Sequence, residues 1–181
     1  MARLQERYRT EIVPVLQQKT GRKNVLSLPR VEKVVVSAGL GKSRDEPKRI
    51  EAAAEDMAVI TGQKPLMTKA KKSVSAFRLR EGVIIGAKVT LRGKHMYEFL
   101  DRLINLAIPR FHDFRGMDPD GFDGRGNYSL GLAEQLVFPE VRVDKVQFQQ
   151  GMNVTLVIRN SRSDEESRWL LEALGFPFRR D

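Results

Sequence analysis

The 181-residue sequence contains no cysteine. Disulfides, thiolate metal centres and cysteine nucleophiles are therefore excluded. Histidine is scarce: His95 and His112 are the only two, and neither has a ligand set beside it. Aromatic residues make up 7% of the chain, with a single tryptophan. No apolar run approaches the roughly 20 residues of a membrane span. The opening "MARLQERYRTEIVPVLQQ" lacks the apolar core of a signal peptide, so a cytoplasmic protein with no membrane partner is expected.

Positive charge is in excess. There are 32 Lys+Arg against 23 Asp+Glu, a net charge of +9. Such an excess points to nucleic acid or an anionic surface, or to a merely basic soluble protein. The distribution is uneven. Residues 1–30 hold seven basic and two acidic side chains, and residues 64–94 hold nine and one. Residues 95–181 hold eleven and fourteen. Two faces with different partners are expected.

Periodicity predicts the elements. Leu4, Tyr8, Ile12 and Leu16 mark a helix that Pro14 kinks or interrupts. "VEKVVVS" (31–37) reads as a strand. "SRDEPKRIEAAAEDMAVITG" reads as a helix capped at Ser43 or Asp45 and ended at Gly62. Strands follow at 63–68 and 83–92, with a basic loop between them. "HMYEFLDRLINLAI" is an amphipathic helix ended by Pro109. After a long loop come a strand at 153–160 and a helix with a Ser163/Glu166 capping box, stopped at Gly175. This order is the split βαβ, ferredoxin-like pattern. The expectation is an α+β protein: an antiparallel sheet with helices on one face, plus an N-terminal helix and long loops. One domain over 1–181 is expected, its halves (about 1–80 and 83–178) sharing one core.

Strand alternation predicts the open face. Val83, Ile85, Ala87, Val89 and Leu91 point inward, as do Val154, Leu156 and Ile158. Lys33, Ser37, Lys88, Thr90, Arg92, Thr155 and Arg159 point outward, with no carboxylate among them. That face is either a solvated surface or a contact for RNA or phosphate. The predicted strands hold no aromatic residue, so base stacking on the sheet is excluded. Backbone, 2′-hydroxyl and shape recognition of a folded RNA remains.

Motifs for chemistry fail on spacing. "SAGLGKS" (37–43) has Val36 where a phosphate-binding loop needs its first glycine. In "FRGMDPDGFDGRGNYSLG" (114–131), Asp118 and Asp120 fit the start of a calcium loop. Asp123 then replaces the glycine, and Ser129 the closing glutamate. No metal, cofactor or catalytic set is expected. "KPLMTKAKKSVSAFRLR" (64–80) has six basic residues and no acidic one, with Val74 and Phe77 interleaved. It is either a phosphate-contacting loop or a disordered one.

Six motifs in register, "GQKPLMTKAKKSVSAFRLREG", "GAKVTLRG", "DFRG", "FDGRGNYSLG", "EQLVFPE" and "LLEALGFPFRR", resemble the bacterial large-subunit ribosomal protein L5 family. The resemblance covers nearly the whole chain. It implies a non-catalytic protein that binds 5S ribosomal RNA in the central protuberance, beside 23S ribosomal RNA and other central-protuberance ribosomal proteins. It assigns Ser37, Gln63, Thr90 and Arg92, with Lys33 nearby, to ribosomal RNA, and Lys88 joins them from the open-face reading. It assigns Lys69, Lys71, Lys72, Ser73, Phe77, Arg78 and Arg80 to peptidyl-site transfer RNA. Glu134, Glu140, Arg142 and Asp144 fall in its bridge to small-subunit ribosomal protein thirteen. The chain departs from the family at Ser37 (usually asparagine), at Arg142 and Val143 (an acid and a tyrosine), and at Gln147 and Asn153 (often aspartate). It departs again at "IRNSRS" (158–163), where the family is threonine-rich. A free-standing basic RNA-binding regulator is the alternative reading.

Overall fold

The computed structural model describes residues 2–41, 46–111, 114–142, 146 and 148–179. The sequence readings at Ser43, Asp45, His112, Val143, Asp144 and Gln147 lie outside the described residues.

Five strands form one antiparallel sheet: β1 (Arg30–Gly39), β2 (Leu66–Lys69), β3 (Ile84–Leu91), β4 (Tyr128–Leu132) and β5 (Met152–Arg159). Their order is β2-β3-β1-β5-β4, the split βαβ arrangement with β4 added at one edge. Helices cover one face of the sheet. The helices are α3 (Pro47–Thr61), α4 (Gly93–Arg102) and α5 (Asp164–Leu174), to which the N-terminal α1 (Arg3–Arg7) and α2 (Val13–Thr20) are added.

The chain gathers into two compact units. The first comprises Met1–Val34, Leu91–Leu130 and Thr155–Asp181; the second comprises Val35–Thr90 and Gly131–Val154. In the first unit, α1 packs on α4, and α2 packs on α5. Leu4, Leu16, Phe99, Leu100, Leu103, Leu170 and Leu171 are buried there. In the second, Ile50, Ala53, Met57 and Ile60 recur at helical spacing along α3 and are buried with Val36, Ala87 and Val89.

Pro14 does not interrupt its helix. A π-helical turn (Tyr8–Ile12) joins α1 to α2, and Pro14 sits in the first turn of α2. A proline removes one i→i−4 hydrogen bond, and a wider turn just before it absorbs the loss. A second π-helical turn (Leu103–Ala107) extends α4, and the apolar stripe of this amphipathic helix, Met96, Phe99, Leu100, Leu103 and Ala107, is buried throughout.

The capping box of α5 is only half made. Ser163 Oγ accepts from the Glu166 amide at 3.4 Å. The Glu166 carboxylate turns to Arg22, whose Nη2 donates to its two oxygens at 2.5 and 2.6 Å. Arg22 Nη1 also donates to the carbonyls of Ser27 and Asn160, at 2.7 and 2.9 Å. This nearly buried pair fastens the end of α2 to the start of α5. The "IRNSRS" segment has a local purpose here. Asn160 adopts φ +65° and donates from Nδ2 to the Leu26 carbonyl at 2.7 Å. Ser161 Oγ accepts from Ser167 Oγ at 2.8 Å.

Candidate RNA interface

The open face follows the predicted alternation on β3 and β5. Ala87, Val89 and Leu91 are buried while Lys88 is exposed and Thr90 half-buried. Val154, Leu156 and Ile158 are buried while Asn153 and Arg159 are exposed. On β1 the alternation slips: Val31 is buried, then Val34, Val36 and Ala38. Glu32 and Lys33 are therefore both half-buried, and Ser37 keeps the parity of Lys33.

In the first unit the face carries Lys33 and, just past β3, Arg92. Arg92 is exposed at the N-cap of α4, and its Nη1 lies 3.5 Å from Glu32 Oε1. A carboxylate from outside the predicted outward positions thus lies beside one of them. Glu32 has the opposite parity to Lys33 and nevertheless lies beside Arg92. Thr155 is joined to Ser129 on β4, hydroxyl to hydroxyl, at 3.0 Å.

In the second unit the face carries Ser37, Lys88 and Thr90. β2 pairs with β3 so that Leu66 stands opposite Lys88 and Thr68 opposite Gly86. Leu66 is exposed, an apolar neighbour of Lys88 that alternation in the other strands did not reveal. Gly86 is needed where it stands, because a Cβ there would lie 2.9 Å from the Ala38 carbonyl oxygen. A Cβ on Gly39 or Gly41 would meet only open space. Gln63 is exposed just beyond α3, while its amide and carbonyl engage Thr61 Oγ1.

Among the described strands, Tyr128 at the start of β4 is the only aromatic residue, and it is buried. The open face remains without a stacking platform.

The basic loop is built rather than shapeless. The amide of Ala70 donates to the Val83 carbonyl at 2.8 Å, and Gly82 donates to Ala70 at 3.0 Å. Val74 and Leu79 exchange both backbone bonds, at 2.9 and 3.0 Å. A short 3-10 turn (Ser75–Phe77) fills the tip. Ser73 serves this scaffold, its Oγ accepting from the Glu81 amide at 2.9 Å. Lys69, Lys71, Lys72, Arg78 and Arg80 are exposed around it, with Phe77 72% exposed.

The segment after β4 is organised by a residue the sequence reading passed over. Gln135 is buried; its Nε2 donates to the Phe148 carbonyl at 2.6 Å and its Oε1 accepts from the Gln150 amide at 2.7 Å. It lies 3.4 Å from Asp56 Oδ2 on α3, whose carboxyl burial pushes above its ordinary value. Glu134 and Glu140 are half-buried and Arg142 exposed in this segment.

The glycine-aspartate stretch is a packed loop. Asp118 Oδ1 accepts from the Asp120 amide at 3.0 Å, and Tyr128 Oη donates to the Asp118 carbonyl at 2.9 Å. Phe122 packs on Tyr128 (ring centroids 4.9 Å apart) and on Phe178 (6.1 Å). Gly126 has φ +84°, and its amide donates to Asp164 Oδ1 at 2.7 Å. Any side chain there would be strained and would strike Ser167 Oγ. Among the described residues no group of acidic or histidine side chains could hold a metal ion. Nor is any helix among them long and apolar enough to cross a membrane.

Two family profiles match in sequence order. One, described as Ribosomal protein L5, covers residues 24–80; the other, for the C-terminus of the same ribosomal family, covers residues 84–178. The chain belongs to the ribosomal protein L5 family. It is 54% identical over 178 residues to the large ribosomal subunit protein uL5 of Alkaliphilus oremlandii, covering 98% of this chain and 99% of that protein. The uL5 proteins of Moorella thermoacetica and Heliobacterium modesticaldum are each 54% identical over 179 residues, covering 99% of both chains. Membership in this family of structural proteins makes the chain non-enzymatic. The open sheet face and the basic loop both lie within the matched residues.

Proposed function

We propose that this chain, a structural constituent of the large subunit of the cytoplasmic ribosome, holds 5S ribosomal RNA against the open face of its sheet. The observation that carries this reading is the face itself. It is largely polar, bears Lys33, Lys88 and Arg92, and among the described residues has no aromatic side chain on which a base could stack. Such a surface suits the backbone, 2′-hydroxyls and shape of a folded RNA. Ser37, Gln63 and Thr90 supply fixed polar contacts beside the cations. Ser37 has a shorter reach than the asparagine usual in the family and fewer hydrogen-bonding atoms.

The basic loop, Lys69 to Arg80, reaches transfer RNA in the peptidyl site. Lys71, Lys72, Arg78 and Arg80 meet phosphates, and Phe77 offers one ring to a ribose or base. The segment around Glu134, Glu140, Arg142 and Asp144 faces small-subunit ribosomal protein thirteen. Contacts to 23S ribosomal RNA and to other proteins of the central protuberance complete the setting, and the whole chain acts there as one domain.

The test is the RNA that accompanies the protein. Tagged chain isolated from cells under conditions that strip the ribosome is expected to retain 5S RNA. Recovery of messenger RNA instead would favour a free-standing regulator and overturn the reading.

A further inference from the structure

Arg92 Nη1 lies 3.5 Å from Glu32 Oε1, and the two side chains are 56% and 38% exposed. Among the described residues, no carboxylate lies within 4.0 Å of Lys33 or Lys88. Of the cations named for this face, Lys33, Lys88, Arg92 and Arg159, Arg92 is thus paired, and its planar guanidinium can read shape as well as charge.

We infer that Glu32 is a specificity-determining positioning residue that turns Arg92 from a phosphate anchor into a reader of groups that both donate and accept hydrogen bonds. The inference rests on the reading of this face as the surface for 5S RNA. A phosphate is an anion and only accepts hydrogen bonds, as does a carboxylate. A phosphate brought to Arg92 gains its donors but meets the like charge of Glu32. A guanidinium has five N–H donors, and Glu32 faces one nitrogen, so several remain for a ligand. A ribose 2′-hydroxyl accepts from Arg92 and donates to Glu32, satisfying both partners. A base edge carrying donor and acceptor side by side does the same. DNA has no 2′-hydroxyl. Lys33 and Lys88 supply the general attraction for polyanions, while the Glu32–Arg92 pair rejects those that are polyanions only.

The experiment compares the full chain with Glu32→Gln, measuring affinity for 5S RNA and for duplex DNA of equal length at one salt concentration. The substitution keeps the shape of the side chain and removes its charge at an exposed site, and melting curves check that the variant folds. The affinity for 5S RNA is expected to fall about threefold and that for DNA to rise about threefold. The preference for 5S RNA then drops about tenfold. A preference within about twofold of wild type overturns the inference, whether both affinities rise together or neither moves. In an Arg92→Gln chain, adding Glu32→Gln is expected to leave the preference unchanged; a further drop contradicts action through Arg92. A wild-type chain without preference for 5S RNA over DNA overturns the proposed function as well. A preference that survives Glu32→Gln overturns only the role of Glu32.

Discussion

Asp123 accepts hydrogen bonds from the amides of Arg125 and Asn127, at 2.9 and 3.0 Å, and from Asn127 Nδ2 at 2.7 Å. The Asn127 side chain is the main reason that its carboxyl is held below the ordinary value of 3.8. Asn127 Oδ1 in turn accepts from the Ile158 amide on β5 at 3.1 Å. The acidic, glycine-rich loop thus uses its aspartate to hold its own backbone. A depressed carboxyl contributes stability that is present above its unfolded value and is lost as the pH falls through the lower folded value. Asp123→Ala is therefore expected to lower the melting temperature at pH 7, and the gap to wild type should close as the pH falls below 3.8. A gap that does not change with pH would mean that the charge of Asp123 has no part in it. The sequence excluded a calcium loop here by spacing alone. It could not show that Asp164 on α5 takes the Gly126 amide, because the two meet only in the folded chain.

Among the elements, α2 and α5 are fastened through Arg22 and Glu166, whose side chains are only 11% and 14% exposed. Glu166→Ala leaves that guanidinium without its counter-charge and is expected to cost about 2–4 kcal/mol in chemical denaturation. Replacing both residues by apolar ones of similar volume should recover most of the loss. The local pattern Ser163–Glu166 announced a capping box. The carboxylate takes the local Arg162 amide at 3.0 Å and the distant Arg22, and nothing near Glu166 in sequence signals the second partner. β4 was hidden in a similar way. Tyr128, Leu130 and Leu132 alternate inward as a strand should, but Gly131 and the preceding glycines read as turn residues. Strands with plain alternation, such as β3 and β5, were legible to within a residue or so, and their outward residues with them. Glu32 was not, because a slip in β1 breaks the two-residue period on which the face was read. The basic loop makes its own prediction at this scale. Its scaffold is closed by backbone bonds and by Ser73, so replacing Lys71 and Lys72 by alanine should leave it folded. Binding to 5S RNA is expected to persist while contact with peptidyl-site transfer RNA weakens, as read by footprinting on assembled ribosomes. Loss of 5S binding instead would assign the loop to the other RNA.

For the molecule as a whole, a net charge of +9 supplies a general attraction to RNA, and it does not choose among RNAs. In the proposed function the choice lies in where the charge is held: on the open sheet face and on a closed loop within residues 64–94, where nine basic residues meet one acidic residue. The later part of the chain is mildly acidic, which suits the basic protein partner proposed for it, although Arg142 weakens that match in the proposed bridge segment. The central claim is that the sheet face holds 5S RNA through fixed polar and charged groups. Its most direct measurement is the affinity of Arg92→Glu for 5S RNA beside wild type, with melting curves of both. Arg92→Glu places a second carboxylate next to Glu32 on an exposed surface. Binding is expected to weaken by about 100-fold while the melting temperature stays near wild type. Undiminished affinity in a correctly folded Arg92→Glu chain would contradict the account.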